Sequence, residues 1–320
     1  MSKNTVPFAK GDQLITSLDS LLEMDHQAGD ERLPGYPSMH LHDVGSLRTF
    51  LTEDLYTTEL DTMAPVLWMM TTQSSANISP IHAQKVKTRE IVISEHPRLH
   101  LAWTHNRVFI KPLPKYLLSF AFWDKYLVDR SSPLQGEREM LCRAAKGFLR
   151  TYYHLVKYES DFDMAQSARL IPSSVTWEAF SSFISEARFI YDDDVSPRYC
   201  YGELRLTRLN FYAKFFLRRF RYEWGRPQYS TYFNRFYPHL LFVFALLSIL
   251  LNSMQVELAV ESLTPHPWVP VWNISRYFSS ICLVGIVLTI FCCIAVPMGL
   301  FIDEWIYAIR MRKKPSVSVP

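Results

Sequence analysis

The sequence predicts an α+β fold: a mostly helical cytosolic domain with a small antiparallel sheet, followed by a two-helix transmembrane hairpin. Three observations predict it. Residues 237–256 and 277–302 carry no Asp, Glu, Lys or Arg, and each reaches the roughly 20 apolar residues that a spanning helix needs. Three short runs rich in β-branched and aromatic residues, 89–94, 99–103 and 107–111, sit close together, as in a three-stranded meander. Helical spacing of apolar residues then dominates over 115–128, 136–158, 176–190 and 203–222. Pro133, Pro172 and Pro197 fall between those stretches, where a missing N–H donor does least harm.

Taken in order, residues 1–41 read as an N-terminal amphipathic helix and a linker. Leu14, Leu18 and Leu21 follow Asp12 at helical spacing, and docking on the chain's own domain is the expectation for that helix. The stretch MSKNTVPFAKGDQ lacks the apolar core of a secretory signal. Residues 25–41 are rich in Gly, Pro and charge, as linkers are. The α+β domain is expected over 42–203. Asp43 is placed to cap a helix through Leu47, Phe50, Leu51 and Leu55, with Pro65 breaking the pattern further on. Residues 71–84 read as a polar loop. The sequon Asn77-Ile78-Ser79 is followed by Pro80 and falls on the expected cytosolic side, against its use.

A basic aromatic juxtamembrane helix is expected over 204–236, the spans over 237–256 and 277–302, a lumenal or extracellular loop over 257–276, and a basic tail over 303–320. Lys and Arg placement sets the orientation. Arg218, Arg219, Arg221, Arg226 and Arg235 precede the first span, and Arg310, Arg312, Lys313 and Lys314 follow the second, whereas the loop between offers Arg276. The positive-inside rule then places both termini in the cytosol. The net charge of +3 is too small for nucleic acid as the partner. Five cysteines without a CxxC pair fit a reducing compartment.

The runs ISPIHAQKVKTREIVISEHPRLHLAW, RVFIKPLPKYLLSFAFW and VSPRYCYGELRLTRLNFYAKFF, ahead of two spans, resemble an uncharacterised family of fungal integral membrane proteins with two C-terminal transmembrane helices. The resemblance runs from about His42 to the end of the second span. It implies the topology and no activity, cofactor or catalytic residue.

Catalytic signatures are missing. There is no GxSxG elbow, HExxH, P-loop or dinucleotide glycine fingerprint, so no catalytic residue and no cofactor is assigned. A metal site is not expected either. The weak alternative draws on His82, His96, His100 and His105 around the hairpin, and His40-Leu41-His42-Asp43 has the HxH spacing of a strand ligand pair. Asp192-Asp193-Asp194 reads as a solvated loop.

The strongest soluble-side feature is 204–226, where Arg205, Arg208, Lys214, Arg218, Arg219, Arg221 and Arg226 interleave with aromatic residues. Basic residues near an anionic bilayer face gain about 1 kcal/mol each, and aromatics favour the interface. Charges and aromatics do not separate on a helical wheel, so part of the aromatic face is expected to pack on the domain. Within the spans, Ala245, Ser248, Asn252 and Gln255 form one small or weakly polar stripe, and Cys282, Gly285, Thr289 and Cys292 another. Ser248, Asn252, Gly285 and Thr289 are the helix-packing candidates.

The function expected from these residues is a membrane-anchored cytosolic domain at an endomembrane, binding a partner protein or anionic lipid headgroups. A membrane-tethered metal-dependent enzyme and an accessory subunit of a transporter or oligomeric pore are the alternatives.

Overall fold

A computed structural model describes residues 5–19, 31–216, 229–263 and 272–289, with 270, 291 and 298 as single positions. The chain divides into two compact units, Met1–Trp224 and Gly225–Pro320.

The first unit opens with a hairpin, β1 (Arg32–Leu33) and β2 (Tyr36–His40), then α1 (Val44–Leu55), α2 (Thr58–Leu67) and α3 (Ile81–Val86). Strands β3 (Glu90–Ile93), β4 (Ala102–Thr104) and β5 (Arg107–Ile110) follow. Next come α4 (Phe120–Phe122), continued by a π-helix over Trp123–Val128, then α5 (Arg138–Leu155), α6 (Glu159–Ser167) and α7 (Trp177–Ser185). Strand β6 (Leu204–Arg205) leads directly into α8 (Leu206–Phe216).

Helix α5 is the centre of the main core. Leu141, Ala144, Ala145, Phe148, Leu149, Tyr152 and Leu155 are all buried, because three- and four-residue steps put them on inward faces. Around α5 pack α1, α7 and the π-helix. Each fully buried Leu or Phe contributes about 1.5–3 kcal/mol relative to an exposed one. Asp43 caps α1 as expected, its Oδ1 accepting from Ser46 N–H at 3.1 Å.

A second, smaller core joins α2 to α8. Leu60, Met63, Ala64 and Leu67 of α2 meet Leu206, Leu209 and Ala213 of α8, over Ala102 and Leu204 of the sheet.

Several expectations are corrected. No helix forms over 13–19; a 3-10 turn covers Lys10–Asp12, and the remainder of the expected helix lies outside the described residues. The segment still docks on its own domain. Leu14 and Ile15 N–H bond the Leu118 carbonyl, and Leu18 is buried. The expected linker contains the β1–β2 hairpin, whose turn uses Gly35 at φ +91°, a region open to glycine at no steric cost. The sheet is mixed, not an antiparallel meander. Its order is β3-β5-β4-β6, with β4–β5 antiparallel but β3–β5 and β4–β6 parallel. Leu101 at φ +61° and the 3-10 turn Pro97–Leu99 redirect the chain, so β5 lies between β3 and β4. Pro65 sits inside α2, at an exposed position near its end; the break falls earlier, at Tyr56 and Thr57, between α1 and α2.

In the second unit, α9 spans Tyr229–Glu261 and residues 272–289 are helical. Among the described residues one helix is long and apolar enough to cross a membrane, Leu241–Val260, with mean hydropathy 1.8 and none of it buried. At 1.5 Å per residue its 20 residues match a hydrocarbon core of about 30 Å. The end of the second expected span and the tail 303–320 lie outside the described residues.

Candidate functional site

A tight strap starts the site. Gly202 N–H bonds the Ser74 carbonyl at 3.1 Å and Glu203 N–H the Asn77 carbonyl at 2.9 Å, while Thr71 Oγ1 donates to the Glu203 carbonyl at 2.8 Å. A Cβ at position 202 would collide with the Asn77 carbonyl, so only glycine allows this approach. The strap pins the loop after α2 to the sheet and turns the Glu203 side chain inward.

There Glu203 Oε1 accepts from Ser79 N–H at 2.7 Å and Gln84 Nε2 at 2.7 Å, and Oε2 from Arg89 at 2.7 Å. Burial pushes the Glu203 carboxyl up, but the bonds from Ser79, Arg89 and Gln84 outweigh it and hold its pKa below the ordinary glutamate value. Arg89 is thereby fixed over the Trp103 ring, 4.1 Å from its centroid. Arg205 faces Trp103 across the β4–β6 pair, with its guanidinium 5.3 Å from the same ring. Such cation–π contacts contribute about 0.5–2 kcal/mol each.

Beside this stack opens a cleft of about 450 Å³, lined by Trp68, Met69, Thr72, Asn77, Trp103, Arg205 and Arg208 among others. Met69 and Arg208 also line a neighbouring hollow of about 400 Å³ with Thr207, Phe211 and Tyr212. Arg208 is positioned by its bond to the Met70 carbonyl at 2.8 Å. Trp68 and Phe211 are 60% and 58% exposed, high values for side chains of that size. What packs α8 on the domain is its aliphatic stripe, Leu206, Leu209 and Ala213. Part of the aromatic face also meets the domain, as expected: Tyr212 is half-buried and packs against this core, whereas Phe211 and Phe216 are exposed. The site therefore combines guanidiniums, a rigid indole and exposed aromatics, a chemistry suited to anions at an apolar boundary.

Residues 47–286 match the model of a family of unknown function, DUF6601. The chain belongs to that family. No curated protein and no solved structure matches it.

Among the described residues of this DUF6601 chain the histidines do not assemble into a metal-binding group. His100 is buried, its Nδ1 accepting from Lys111 N–H at 3.1 Å and its Nε2 lying 2.8 Å from Thr151 Oγ1. Because a backbone N–H donates to Nδ1, the ring proton sits on Nε2. Burial, then the charges of Arg198 and Lys111, hold its pKa well below the ordinary value; both nitrogens are committed. His96 and His105 are exposed. His82 is half-exposed, its Nδ1 2.8 Å from Oδ1 of the fully buried Asp161. Among the described residues no three of His, Cys, Asp and Glu form a group able to hold a metal ion, and His82, His96, His100 and His105 are not brought together as one. The rings of His40 and His42 meet at a tilt of 54°, 5.2 Å between centroids. Asp192 pairs with Arg150 at 2.9 Å.

Sequence reasoning missed a buried ion pair in this DUF6601 domain. Lys111 Nζ, fully enclosed, reaches Asp54 Oδ1 at 2.8 Å and the Glu95 carbonyl at 2.8 Å, and Tyr116 donates to Asp54 Oδ2 at 2.5 Å. Burial first, then the Asp54 charge, pushes the Tyr116 hydroxyl up. Asp54, Lys111 and Tyr116 come from α1, the end of β5 and the turn before α4, so no spacing in the sequence announces the cluster.

Arg218, Arg219, Arg221 and Arg226 lie outside the described residues. Ser248 is half-buried, whereas Asn252, Gly285 and Thr289 are exposed, and a Cβ added at Gly285 meets nothing within 4 Å.

Proposed function

We propose that the chain is a two-pass membrane protein with both termini cytosolic, whose N-terminal unit works at an endomembrane surface by holding anionic lipid headgroups. The observation that carries this reading is the Leu241–Val260 helix, 20 residues of mean hydropathy 1.8 with Glu257 as the charged residue near its end, and unburied. A mostly apolar surface of that length is costly in water and stable in a bilayer. The second apolar stretch, helical over 272–289, supports the hairpin, and Lys and Arg placement supports its orientation. The basic aromatic run 204–226 precedes the first span in sequence, and guanidiniums near a cytosolic bilayer face are attracted by anionic headgroups.

Vesicle flotation of the chain truncated after Arg235 tests the lipid reading. Retention on anionic vesicles, little on neutral ones, and roughly hundredfold weaker retention in Arg218/Arg219/Arg221→Ala is expected, from about 1 kcal/mol per arginine. Equal flotation on neutral and anionic vesicles, unchanged by the triple substitution, refutes it. Binding to a partner protein becomes the favoured reading if the truncated chain floats on neither.

A further inference from the structure

We infer that the folded cleft beside Trp103 is a binding site for a phosphomonoester lipid headgroup, separate in sequence from the arginines of 218–226. This rests on the membrane reading above and adds to it a ligand class and a site.

The charge balance selects the ligand. Three guanidiniums line the cleft, Arg89, Arg205 and Arg208, against one carboxylate, Glu203. Arg89 and Glu203 neutralise each other at 2.7 Å, so three minus one leaves two uncompensated positive charges. Among the described residues neither Arg205 nor Arg208 has a carboxylate partner, and both are exposed. A phosphomonoester carries about −1.5 to −2 at neutral pH, which matches that excess; a phosphodiester carries one charge and leaves half of it unmatched. Guanidinium forks fit the tetrahedral oxygens better than ammonium groups do. Thr72 and Asn77, both exposed on the cleft wall, add neutral donors.

The surroundings select a lipid over a soluble phosphate. Trp68 borders the cleft and Phe211 the adjoining hollow, with Arg208 common to both. Exposed aromatics flanking a cationic site are placed to enter the headgroup–acyl boundary while the arginines hold the phosphate. Free phosphate would give them nothing to bury. The strap at Gly202–Glu203 and the Arg89–Trp103 stack make the floor rigid, so little ordering cost falls on binding.

The test uses the full chain in neutral phosphatidylcholine nanodiscs, titrated calorimetrically with short-chain phosphatidic acid, short-chain phosphatidylglycerol and inorganic phosphate. Saturable binding of phosphatidic acid is expected, about tenfold or more tighter than phosphatidylglycerol. Arg205→Ala/Arg208→Ala should weaken it by at least about a hundredfold, from ~1.5 kcal/mol or more per charged hydrogen bond. Arg205→Lys/Arg208→Lys should restore only part of the loss. Trp68→Ala should weaken phosphatidic acid and leave inorganic phosphate unaffected. Arg218/Arg219/Arg221→Ala should change none of these values, which separates this site from the flotation result. Unaltered melting of each variant shows that the fold is intact. Equal affinity for both lipids, indifference to the double arginine substitution, or inorganic phosphate binding as tightly as phosphatidic acid overturns the inference.

Discussion

Glu203 is the residue on which the cleft depends, because it holds Arg89, Gln84 and the Ser79 N–H at once. Removing one partner of a buried pair strands the other charge. Glu203→Ala should therefore cost about 3–5 kcal/mol, read as a lower denaturant midpoint, and should release Arg89 from Trp103. Acid should reach the same contact. The folded pKa of Glu203 lies below its ordinary 4.5, so its stabilisation is complete above 4.5 and is lost as pH falls through the folded value. His100 acts earlier in the same direction. Its folded pKa lies well below 6.5, and burial likewise brings His154 down to about 4. Below pH 6.5 the unfolded chain takes up protons that these folded rings refuse, so stability should decline from there downward. Denaturant midpoints that stay flat as pH falls through 6.5 would contradict the buried neutral His100.

At the scale of elements, the α2–α8 contact carries the cleft wall. Leu209 is fully buried in it, and Leu209→Ala should cost about 2–5 kcal/mol, loosening Arg208 along with the helix; calorimetric melting reads it. Asp43→Ala should lower the melting temperature by uncapping α1. That cap was legible because Asp43 directly precedes the apolar spacing of Leu47 and Leu51. The β4–β5 hairpin was legible from its flanking runs around Thr104–Asn106. The strand order was not. Pairing of β3 with β5 is decided by packing of Ile91 and Val108 on the core and by the left-handed Leu101, which no local pattern states. Helix α8 shows the same divide. Its helical character over Leu206–Phe216 was legible, but which face turns inward was settled by Leu60 and Leu67 of α2, about 140 residues upstream. Gly285 gives a contrasting expectation. With nothing within 4 Å of a Cβ built there among the described residues, Gly285→Ala should leave the melting of the full chain unchanged.

For the whole molecule, the division into Met1–Trp224 and Gly225–Pro320 follows a composition shift visible in the residues themselves. The mixed apolar and charged pattern of the first unit gives way to an apolar run whose described helix, Leu241–Val260, is unburied. The candidate site was legible in part. Arg205 and Arg208 stood out as basic residues among aromatics, whereas Arg89, Trp103 and Trp68 join them through the sheet and the strap, contacts more than 90 residues apart in the chain. A membrane role for the cleft rests on the proposed two-pass topology with both termini cytosolic. Protease protection in sealed microsomes tests that most directly, with epitope tags at both ends and a third in the loop at 262–263. Both terminal tags digested while the loop tag survives until detergent is added is the predicted result; protection of either terminus, or digestion of the loop in sealed vesicles, would contradict it.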